Sequence, residues 1–335
     1  MPEQIVQNHF HDYYAGLDCN MLELPDFTKR EFGFLRPDKK EMIRHLAFSD
    51  VLSLKKYLVA LPPSHVYSST ALYKRPAEPD MNAKGWIGSE MIFEFDADHM
   101  KELRDKPNVK IGLLDKSDWS LVKDRTKRLI YDFLIEDFGF QDKEISINFS
   151  GNRGFHVRVR ANDYIDLDQD ARRRLASYIN GADLDVDSVF TRLSAKRKVR
   201  EITFSQPGWM ERIRKIMGEK KISAEDAVKE ASLDIDENVL LDLHRLIRHV
   251  HTLHAGTGLI VTPISIDEID SFDPYVHAVV KSDQEVLVKM EHGELLNGLV
   301  VGDLTISSDL KGRILRLNRS VAVFLLLKGL AKAIG

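Results

Sequence analysis

Residues Met91–Asp98 read MIFEFDAD, and this stretch decides the fold. The apolar run at its start predicts a buried strand of about five residues. Because side chains alternate between the two faces of a strand, Glu94, Asp96 and Asp98 are expected to share one face. Hard divalent cations prefer carboxylate oxygens of this kind as ligands. The stretch therefore predicts a metal site at the end of a strand, and two solvated aspartates in a loop are the alternative.

A second informative stretch, EISINFSGNRGFHVRVR, spans residues 144–160. Apolar and polar residues alternate in both halves, and a Gly-Asn-Arg-Gly turn joins them, which predicts a β-hairpin. Its polar face collects Ser150, His156 and Arg158, with Arg153 in the turn. Backbone N–H groups in a glycine-flanked turn, beside a hydroxyl, a guanidinium and an imidazole, favour a polyphosphate ligand. An ordinary exposed basic face is the competing interpretation.

The third stretch is DIDENVLLDLHRLIRHVHTLHAGTGL, residues 234–259. The spacing of its apolar residues predicts a helix on which His244, Arg248 and His251 share one face. No cysteine or acidic residue stands at a metal-site spacing from these histidines, so phosphate contacts are favoured over zinc ligation.

The remaining chain shows three broader patterns. Residues 1–60 are predicted to be mainly helical. The apolar run Val321–Leu327 is too short for a bilayer span, which needs about 20 residues, so it predicts a buried helix, with a helix that faces a partner as the alternative. Residues 161–232 read as helices without a strand of the core type. Within them, residues 191–221 hold ten Lys or Arg against three Asp or Glu. Both a nucleic-acid-binding face and a solvated helix surface fit this charge run.

Composition limits the class of protein. The 335 residues, 43% hydrophobic and 30% charged, fit one large domain with an insertion or two domains. A net charge of −4 means that any affinity for nucleic acid depends on a local patch. The single cysteine, Cys19, excludes an intrachain disulfide and a cysteine-rich zinc site. The amino terminus lacks the apolar segment of a signal peptide, so a cytoplasmic protein is expected.

Taken together, the three stretches resemble the small catalytic subunit of the archaeal and eukaryotic type of DNA primase. The resemblance rests on FDAD at Phe95–Asp98, on SGNRGFHVRV at Ser150–Val159, and on Asp236, Arg248 and His254 in that order. It spans nearly the whole chain, and the ordered combination is far more specific than any one motif.

The resemblance implies a two-metal polymerase site. Asp96, Asp98 and Asp236 would be the catalytic carboxylates and would hold Mg²⁺ or Mn²⁺. The residues that would bind the triphosphate of the incoming nucleotide are Ser150, Arg153, His156, Arg248 and His254. Arg44, in a basic segment near the amino terminus, is a weaker candidate for a contact with nucleotide or nucleic acid.

The implied fold is of the α/β (α+β) class. Residues 1–160 and 233–335 would form a primase catalytic core with mixed or antiparallel β-sheets flanked by helices, and residues 161–232 a mainly helical insertion. Many relatives carry a cysteine-and-histidine zinc motif after the first acidic motif. Residues 99–119 contain no cysteine, so no structural zinc is predicted.

The implied activity is synthesis of short RNA primers, or DNA primers, on a single-stranded DNA template from NTPs or dNTPs. The implied partner is a large primase subunit in a heterodimer, with no membrane involved. Three other functions use related features: a polymerase of end joining or damage tolerance, a metal-dependent nuclease or phosphodiesterase, and a non-catalytic single-strand-binding module.

Overall fold

A computed structural model of the chain describes residues 2–37, 41–182, 184, 208–292 and 298–334. Its α-helices are α1 (Pro2–Gly16), α2 (Val51–Ala60), α3 (Pro107–Lys110), α4 (Lys116–Arg128), α5 (Gln169–Asn180), α6 (Trp209–Lys220), α7 (Ala224–Ala231), α8 (Glu237–Leu241), α9 (Pro274–His277) and α10 (Arg319–Leu327). Its strands are β1 (Phe32–Leu35), β2 (Met42–Leu46), β3 (His65–Ser69), β4 (Ala71–Tyr73), β5 (Trp86–Ser89), β6 (Met91–Asp96), β7 (Ile145–Phe149), β8 (Gly154–Val159), β9 (Leu246–Arg248), β10 (Pro263–Ile264), β11 (Glu285–Met290), β12 (Val300–Val301), β13 (Leu304–Thr305), β14 (Ile314–Asn318) and β15 (Ala331–Ala333).

Two four-stranded antiparallel sheets form the centre of the fold. The first has the strand order β2-β1-β3-β9 and the second the order β10-β7-β8-β6. β9 and β6 are therefore edge strands. Ile92 of β6, Ile247 of β9 and Val239 of α8 form a small buried cluster between them. The two edges consequently lie side by side, and the residues at their ends can contribute to one site.

The second sheet matches the sequence pattern closely. β6 pairs with β8 from Met91 opposite Val159 to Asp96 opposite Gly154, and β7 pairs with β8 as the predicted hairpin. A Cβ atom on Gly154 would lie only 1.9 Å from the carbonyl oxygen of Phe95. Glycine at this position thus lets the end of β6 pass directly beside the hairpin turn.

One hydrophobic core covers the apolar face of the second sheet. Helix α4 packs against β6 and β8, and its Trp119 makes edge-to-face contacts with Phe149 and Phe155. The chain continues as a π-helix over Leu129–Ile135 and turns at Gly139, whose φ is 75°. Helix α4 and this π-helix therefore form one helical segment that is followed by a glycine turn.

A second core lies on the first sheet, where α1 and α2 cover β1 and β3. Helix α10 belongs to the main core, and its residues Val321–Leu325 are almost completely buried, as predicted for the apolar run. It packs against the three-stranded sheet β14-β11-β15. The mixed architecture of antiparallel sheets and flanking helices confirms the predicted fold class.

The prediction of a mainly helical segment over residues 1–60 is wrong in its middle part. β1 and β2 pair as antiparallel strands there, because Phe32 and Phe34 are buried in the core of the first sheet. Long-range pairing of β1 with β3 stabilises these strands. The hydrophobic periodicity within one segment does not predict such pairing.

Residues 161–232 contain α5, α6 and α7 and no strand among the residues that the structure describes. Buried residues of these helices, including Ile179, Trp209 and Val228, join the same hydrophobic core as the second sheet. The division into a catalytic core and an insertion stays a prediction. Most of the basic run over residues 191–221 lies outside the described residues.

None of the helices in the described part of the chain is both long enough and apolar enough to cross a bilayer.

Candidate active site

Two aspartates at the end of β6 are bound by one arginine of the hairpin turn. Arg153 Nε lies 3.2 Å from Asp96 Oδ1, and Arg153 Nη2 donates a hydrogen bond of 2.5 Å to Asp98 Oδ2. The backbone reinforces this arrangement, since the N–H of Ala97 donates to the carbonyl oxygen of Arg153 at 3.3 Å. The strand end and the turn thus form one rigid unit with two carboxylates and one guanidinium.

The two aspartates carry more negative charge than the arginine neutralises. Burial raises the pKa of Asp96, and the neighbouring Asp98 and Glu94 raise it further against the opposing charge of Arg153. Oδ1 of Asp96 is buried with the 3.2 Å contact to Arg153 Nε, and Oδ1 of Asp98 is buried without a hydrogen-bond partner among the described residues. Such oxygens are costly to bury unless a cation or donor joins them.

Asp236 reaches the same region from a different part of the chain. It caps the amino terminus of α8, where its side chain accepts a hydrogen bond from the N–H of Asn238. The ring of His99 lies between it and the strand end: Nδ1 is 3.8 Å from Asp236 Oδ2, and Nε2 is 3.9 Å from Asp98 Oδ1. The carboxylates of Asp98 and Asp236 therefore face each other across one imidazole.

The acidic side chains of the described residues do not form a closed metal site, although the carboxyl groups of Asp96 and Asp98 lie close enough to interact directly. In the part of the chain that the structure describes, no three side chains of His, Cys, Asp or Glu are grouped closely enough to hold a metal ion. Arg153 pairs with both Asp96 and Asp98, whereas the ring of His99 lies between the carboxylates of Asp98 and Asp236.

The hairpin turn provides donors beside the carboxylates. Ser150 is nearly buried, and its hydroxyl has no partner among the described residues. Gly151 adopts a left-handed conformation with φ of 85°, and the N–H groups of residues 151–153 make no hydrogen bond to other described residues. Consecutive free N–H groups around a left-handed residue form a concavity suited to an anion.

His156 points along the polar face of β8 towards Glu94. The two residues are directly opposite each other, and His156 Nε2 lies 3.5 Å from Glu94 Oε1. Although burial opposes the change, the hydrogen bond and charge of His156, together with Arg245, lower the pKa of Glu94 to about 2. His156 Nδ1 is buried and has no partner among the described residues.

Arg248 lies on strand β9 and not on a helix, so the predicted helix over this stretch is wrong. α8 ends at Leu241, His244 lies in a turn, and His251 has a left-handed φ of 55°. Pairing of β9 with the distant strand β3 outweighs the local helical spacing. His244, Arg248 and His251 therefore do not share a helix face.

β9 nevertheless brings Arg248 to the site. Its guanidinium lies over the ring of Tyr67, 5.3 Å from the centroid, and donates a hydrogen bond to Nδ1 of His65. Burial lowers the pKa of Arg248, while the charges of Glu94 and Asp96 raise it. None of the described carboxylates lies within ion-pair distance of Arg248, so its charge is available to an anionic ligand.

His254 lies between β9 and the hairpin turn. Its Nδ1 accepts a hydrogen bond of 3.1 Å from the N–H of Gly256, and its ring contacts that of His65 at 4.8 Å between centroids. Burial, with the charge of Arg248, keeps the pKa of His254 well below its ordinary value. The neutral ring therefore carries its proton on Nε2, which makes that atom a hydrogen-bond donor.

Two residues that are distant in sequence from all three motifs also reach this cluster. His65 comes from β3, and Lys328 follows the last residue of α10 and reaches the hairpin turn at Asn152. No local pattern marks either residue as functional. Only the packing of β3 beside β9, and of α10 beside the turn, brings them to the site.

Arg44 lies away from this cluster. Strand β2 is the far edge of the first sheet, three strand spacings from β9, or about 14 Å at the usual spacing. Arg44 Nε donates a hydrogen bond of 2.9 Å to the buried Glu31, which also pairs with the buried Lys84. Among the described residues Arg44 is thus a partner of Glu31, with part of its side chain exposed to solvent.

Comparison with known proteins identifies the family. The family model described as DNA primase small subunit matches residues 95–266, which hold all the predicted site residues except Arg44. The DNA primase small subunit PriS of Thermoplasma volcanium is 34% identical over 83% of each chain. The chain belongs to the DNA primase small subunit family. The predicted family and enzyme class, a DNA primase that transfers nucleotidyl groups, are thereby confirmed.

Other members of the family match over almost their full length. The DNA primase small subunit PriS of Methanothrix thermoacetophila is 32% identical over 98% of both chains. That of Archaeoglobus fulgidus is 33% identical over 97% of this chain and 96% of its own. Among solved structures, the polymerase domain from Mycobacterium tuberculosis ligase D in complex with DNA aligns with a TM-score of 0.42 and 12% identity. That alignment covers 79% of this chain and 82% of the other.

Proposed function

We propose that this primase small subunit synthesises short RNA primers, with DNA primers as the alternative product, on a single-stranded DNA template. NTPs or dNTPs are the substrates, and a large primase subunit is the partner in a heterodimer. The observation that carries the proposal is the approach of Asp96, Asp98 and Asp236 to one another beside the donors of the hairpin turn and Arg248.

The acidic side chains fit divalent cations. Oδ1 of Asp98 is buried and lacks a hydrogen-bond partner among the described residues, Oδ1 of Asp96 is buried beside Arg153, and hard cations bind such oxygens. Asp96, Asp98 and Asp236 would therefore hold Mg²⁺ or Mn²⁺. When bound, the cations would promote ionisation of the primer 3′-hydroxyl and neutralise charge on the leaving pyrophosphate.

The donors around the turn suit the triphosphate of the incoming nucleotide. Ser150, with its unpaired hydroxyl, and His254, with its proton on Nε2, would donate hydrogen bonds to phosphate oxygens. Arg153 and Arg248 would supply positive charge, and arginine is suited to phosphate because it can bind two oxygens at once. Most of the catalytic effect would come from this positioning and charge neutralisation.

His156 and Arg44 would contribute less directly to binding of the nucleotide or the template. His156 is held by Glu94 and would offer Nδ1 to the phosphate chain. Arg44 would contact template or nucleotide at a distance from the carboxylates, using the part of its side chain that is exposed. Residues 161–232 would form the helical insertion on a catalytic core made of residues 1–160 and 233–335.

A primer-synthesis assay tests this proposal directly. The wild-type chain would be incubated with a single-stranded DNA template and labelled nucleotides in Mg²⁺ or Mn²⁺, with and without the large subunit. Asp96→Asn and Asp98→Asn keep the side-chain shape and should abolish labelled product. Asp170→Asn, which removes a carboxylate from the exposed Arg173–Asp170 pair on α5, is the matched control and should keep full activity.

The assay also separates the competing functions. Shortening of a labelled strand without any new product would indicate a nuclease. Extension that requires an existing 3′ end would indicate a polymerase without priming activity. Retained primer synthesis in Asp96→Asn or Asp98→Asn, with a thermal unfolding curve like that of the wild type, would contradict the assignment of the carboxylates.

A further inference from the structure

The carboxyl end of α10 brings a lysine to the hairpin turn. Lys328 Nζ lies 3.2 Å from Oδ1 of Asn152, which stands between Ser150 and Arg153 in the sequence, and 3.5 Å from the carbonyl oxygen of Ile111. Nothing in the motifs of the chain singles out this lysine. Its ammonium group is nevertheless close to the residues proposed to bind phosphate.

Gly112 shows how tightly this region is packed. A Cβ atom on Gly112 would lie 2.5 Å from Lys328 Nζ, 3.3 Å from Asn152 Oδ1 and 3.8 Å from Arg153 Cδ. The lysine ammonium and the arginine side chain thus border the same small space. The absence of a side chain at residue 112 allows the lysine to reach the turn.

The backbone holds Lys328 firmly from both sides. The preceding helix α10 is buried over Val321–Leu325, and Gly329 follows with a left-handed φ of 68°. Strand β15 then pairs with β11. A lysine anchored between a core helix and a paired strand is pre-organised, so little conformational freedom is lost when it meets a ligand.

The charge of Lys328 lacks a counterion. Its two hydrogen-bond acceptors are an amide and a carbonyl oxygen, and no carboxylate of the described residues lies within 4.0 Å of its Nζ. Burial and the charge of Arg153 together lower the pKa of Lys328 to about 8, against the opposing charge of Asp96. The charge of Arg153 is already balanced by Asp96 and Asp98, whereas the charge of Lys328 is unpaired among the described residues and is available to an anion.

We propose that Lys328 is a further nucleotide-binding residue, whose ammonium group contacts the terminal phosphates of the incoming triphosphate and of the pyrophosphate product. The inference rests on the proposed function of the site. The alternative is a structural role, in which Lys328 only joins the loop at Ile111 to the hairpin turn.

Kinetic measurements on Lys328→Met and Lys328→Arg distinguish the two roles. Loss of a charged phosphate contact should raise KM for the nucleotide about 10- to 100-fold in Lys328→Met, with a smaller change in kcat. Inhibition by added pyrophosphate should weaken by a similar factor. Lys328→Arg keeps the positive charge and should recover most of the affinity. Lys332→Met, at an exposed lysine of β15 paired with Glu291, is the control and should match the wild type.

A binding titration keeps the test valid if the variant is less stable or inactive. In an Asp96→Asn background, the affinities for ATP and for AMP are measured by fluorescence, with and without Lys328→Met. A phosphate contact requires weaker binding of ATP with AMP binding unchanged. Equal weakening for both ligands, or unchanged affinity for both, would overturn the proposal. The function itself would stand in that case, since it depends on the aspartates.

Discussion

Gly151 and His254 lie so close together that a Cβ atom on residue 151 would be 2.7 Å from Cβ of His254. Gly151 also has a left-handed φ of 85°, and the hydroxyl of Thr257 donates a hydrogen bond of 2.6 Å to its carbonyl oxygen. The hairpin turn and the loop of His254 therefore keep their relative position only with glycine at residue 151. This contact ties two of the three sequence motifs together.

The first prediction concerns Gly151→Ala. The new methyl group should displace His254 and raise KM for the nucleotide about tenfold or more, as expected for loss of a hydrogen bond to a charged group. Left-handed backbone strain alone costs about 1–2 kcal/mol in stability. Gly139→Ala is the matched control, because Gly139 has a φ of 75° but no atom within 4 Å of its added Cβ.

Comparison of these two glycine variants separates strain from contact. Both should lose stability through backbone strain, Gly151→Ala should lose more because its methyl group also clashes with His254, and only Gly151→Ala should lose nucleotide affinity. Equal kinetic constants in the two variants would show that the contact between Gly151 and His254 has no part in binding.

The second prediction concerns Arg153, which pairs with Asp96 and Asp98 and borders the turn. Arg153→Ala should chiefly weaken nucleotide binding, with KM rising about 10- to 100-fold, because a charged hydrogen-bond partner of the phosphates is lost. Arg153→Lys should give an intermediate value, since lysine cannot bind two oxygens in the same planar geometry.

The control for Arg153 is Arg173→Ala on the exposed face of α5, which should behave like the wild type. Steady-state primer synthesis at varied nucleotide concentration gives KM and kcat separately. An unchanged KM in Arg153→Ala would remove Arg153 from the nucleotide site.

The parts of the site that the sequence predicts are those encoded by short-range patterns. β6 and the β7–β8 hairpin follow from strict alternation of apolar and polar residues, and their register brings Asp96 opposite Gly154. Period-two alternation specifies both the strand and the buried face, which is why these elements are predictable from few residues. The resemblance to the family adds Asp236 and His254, which no local pattern assigns to the site.

The parts that the sequence does not predict depend on distant pairing. Leu246 and Ile247 have helical spacing with their neighbours. They nevertheless form β9, because they pair with β3, which lies about 180 residues earlier in the sequence. His65 and Lys328 reach the site by the same kind of long-range packing. Periodicity within one segment carries no information on such contacts.

The third prediction concerns a buried carboxylate outside the site. Glu90 is completely buried and accepts hydrogen bonds of 2.6 and 3.2 Å from the equally buried Arg30, and Arg158 Nε lies 3.3 Å away. Glu90→Gln would leave these guanidinium groups buried without their counterion. The free energy of unfolding should fall by about 3–5 kcal/mol, the usual cost of breaking a buried pair.

An exposed pair provides the comparison for Glu90. Glu285→Gln removes the charge that faces Arg316 at 3.7 Å on the surface of the β11–β14 pair, and exposed pairs contribute less than about 1 kcal/mol. Urea denaturation of the two variants measures both effects. A loss of stability in Glu90→Gln no larger than in Glu285→Gln would contradict the importance of the buried network.

The fourth prediction concerns the pH dependence of stability. His249 is completely buried, and its Nε2 donates a hydrogen bond of 3.0 Å to the carbonyl oxygen of Leu22. Burial lowers the pKa of His249 from 6.5 to about 3, against the opposing effect of this hydrogen bond. Below pH 6.5 the unfolded chain therefore binds a proton that the folded chain excludes, and stability is lost as the pH falls.

Because of His249, the free energy of unfolding should fall by about 1.4 kcal/mol for each pH unit below the ordinary histidine pKa. This fall should continue until the pH reaches the folded-state pKa of His249. His249→Gln keeps a donor for Leu22 and cannot titrate, so it should be less stable at neutral pH but show a shallower slope. His11→Gln, at an exposed histidine of α1, should keep the wild-type slope. Urea denaturation between about pH 4.5 and 7.5 gives the slopes.

Equal slopes in His249→Gln and the wild type would mean that His249 takes up its proton without unfolding of the chain. An NMR titration of its ring would then show a pKa near the ordinary value.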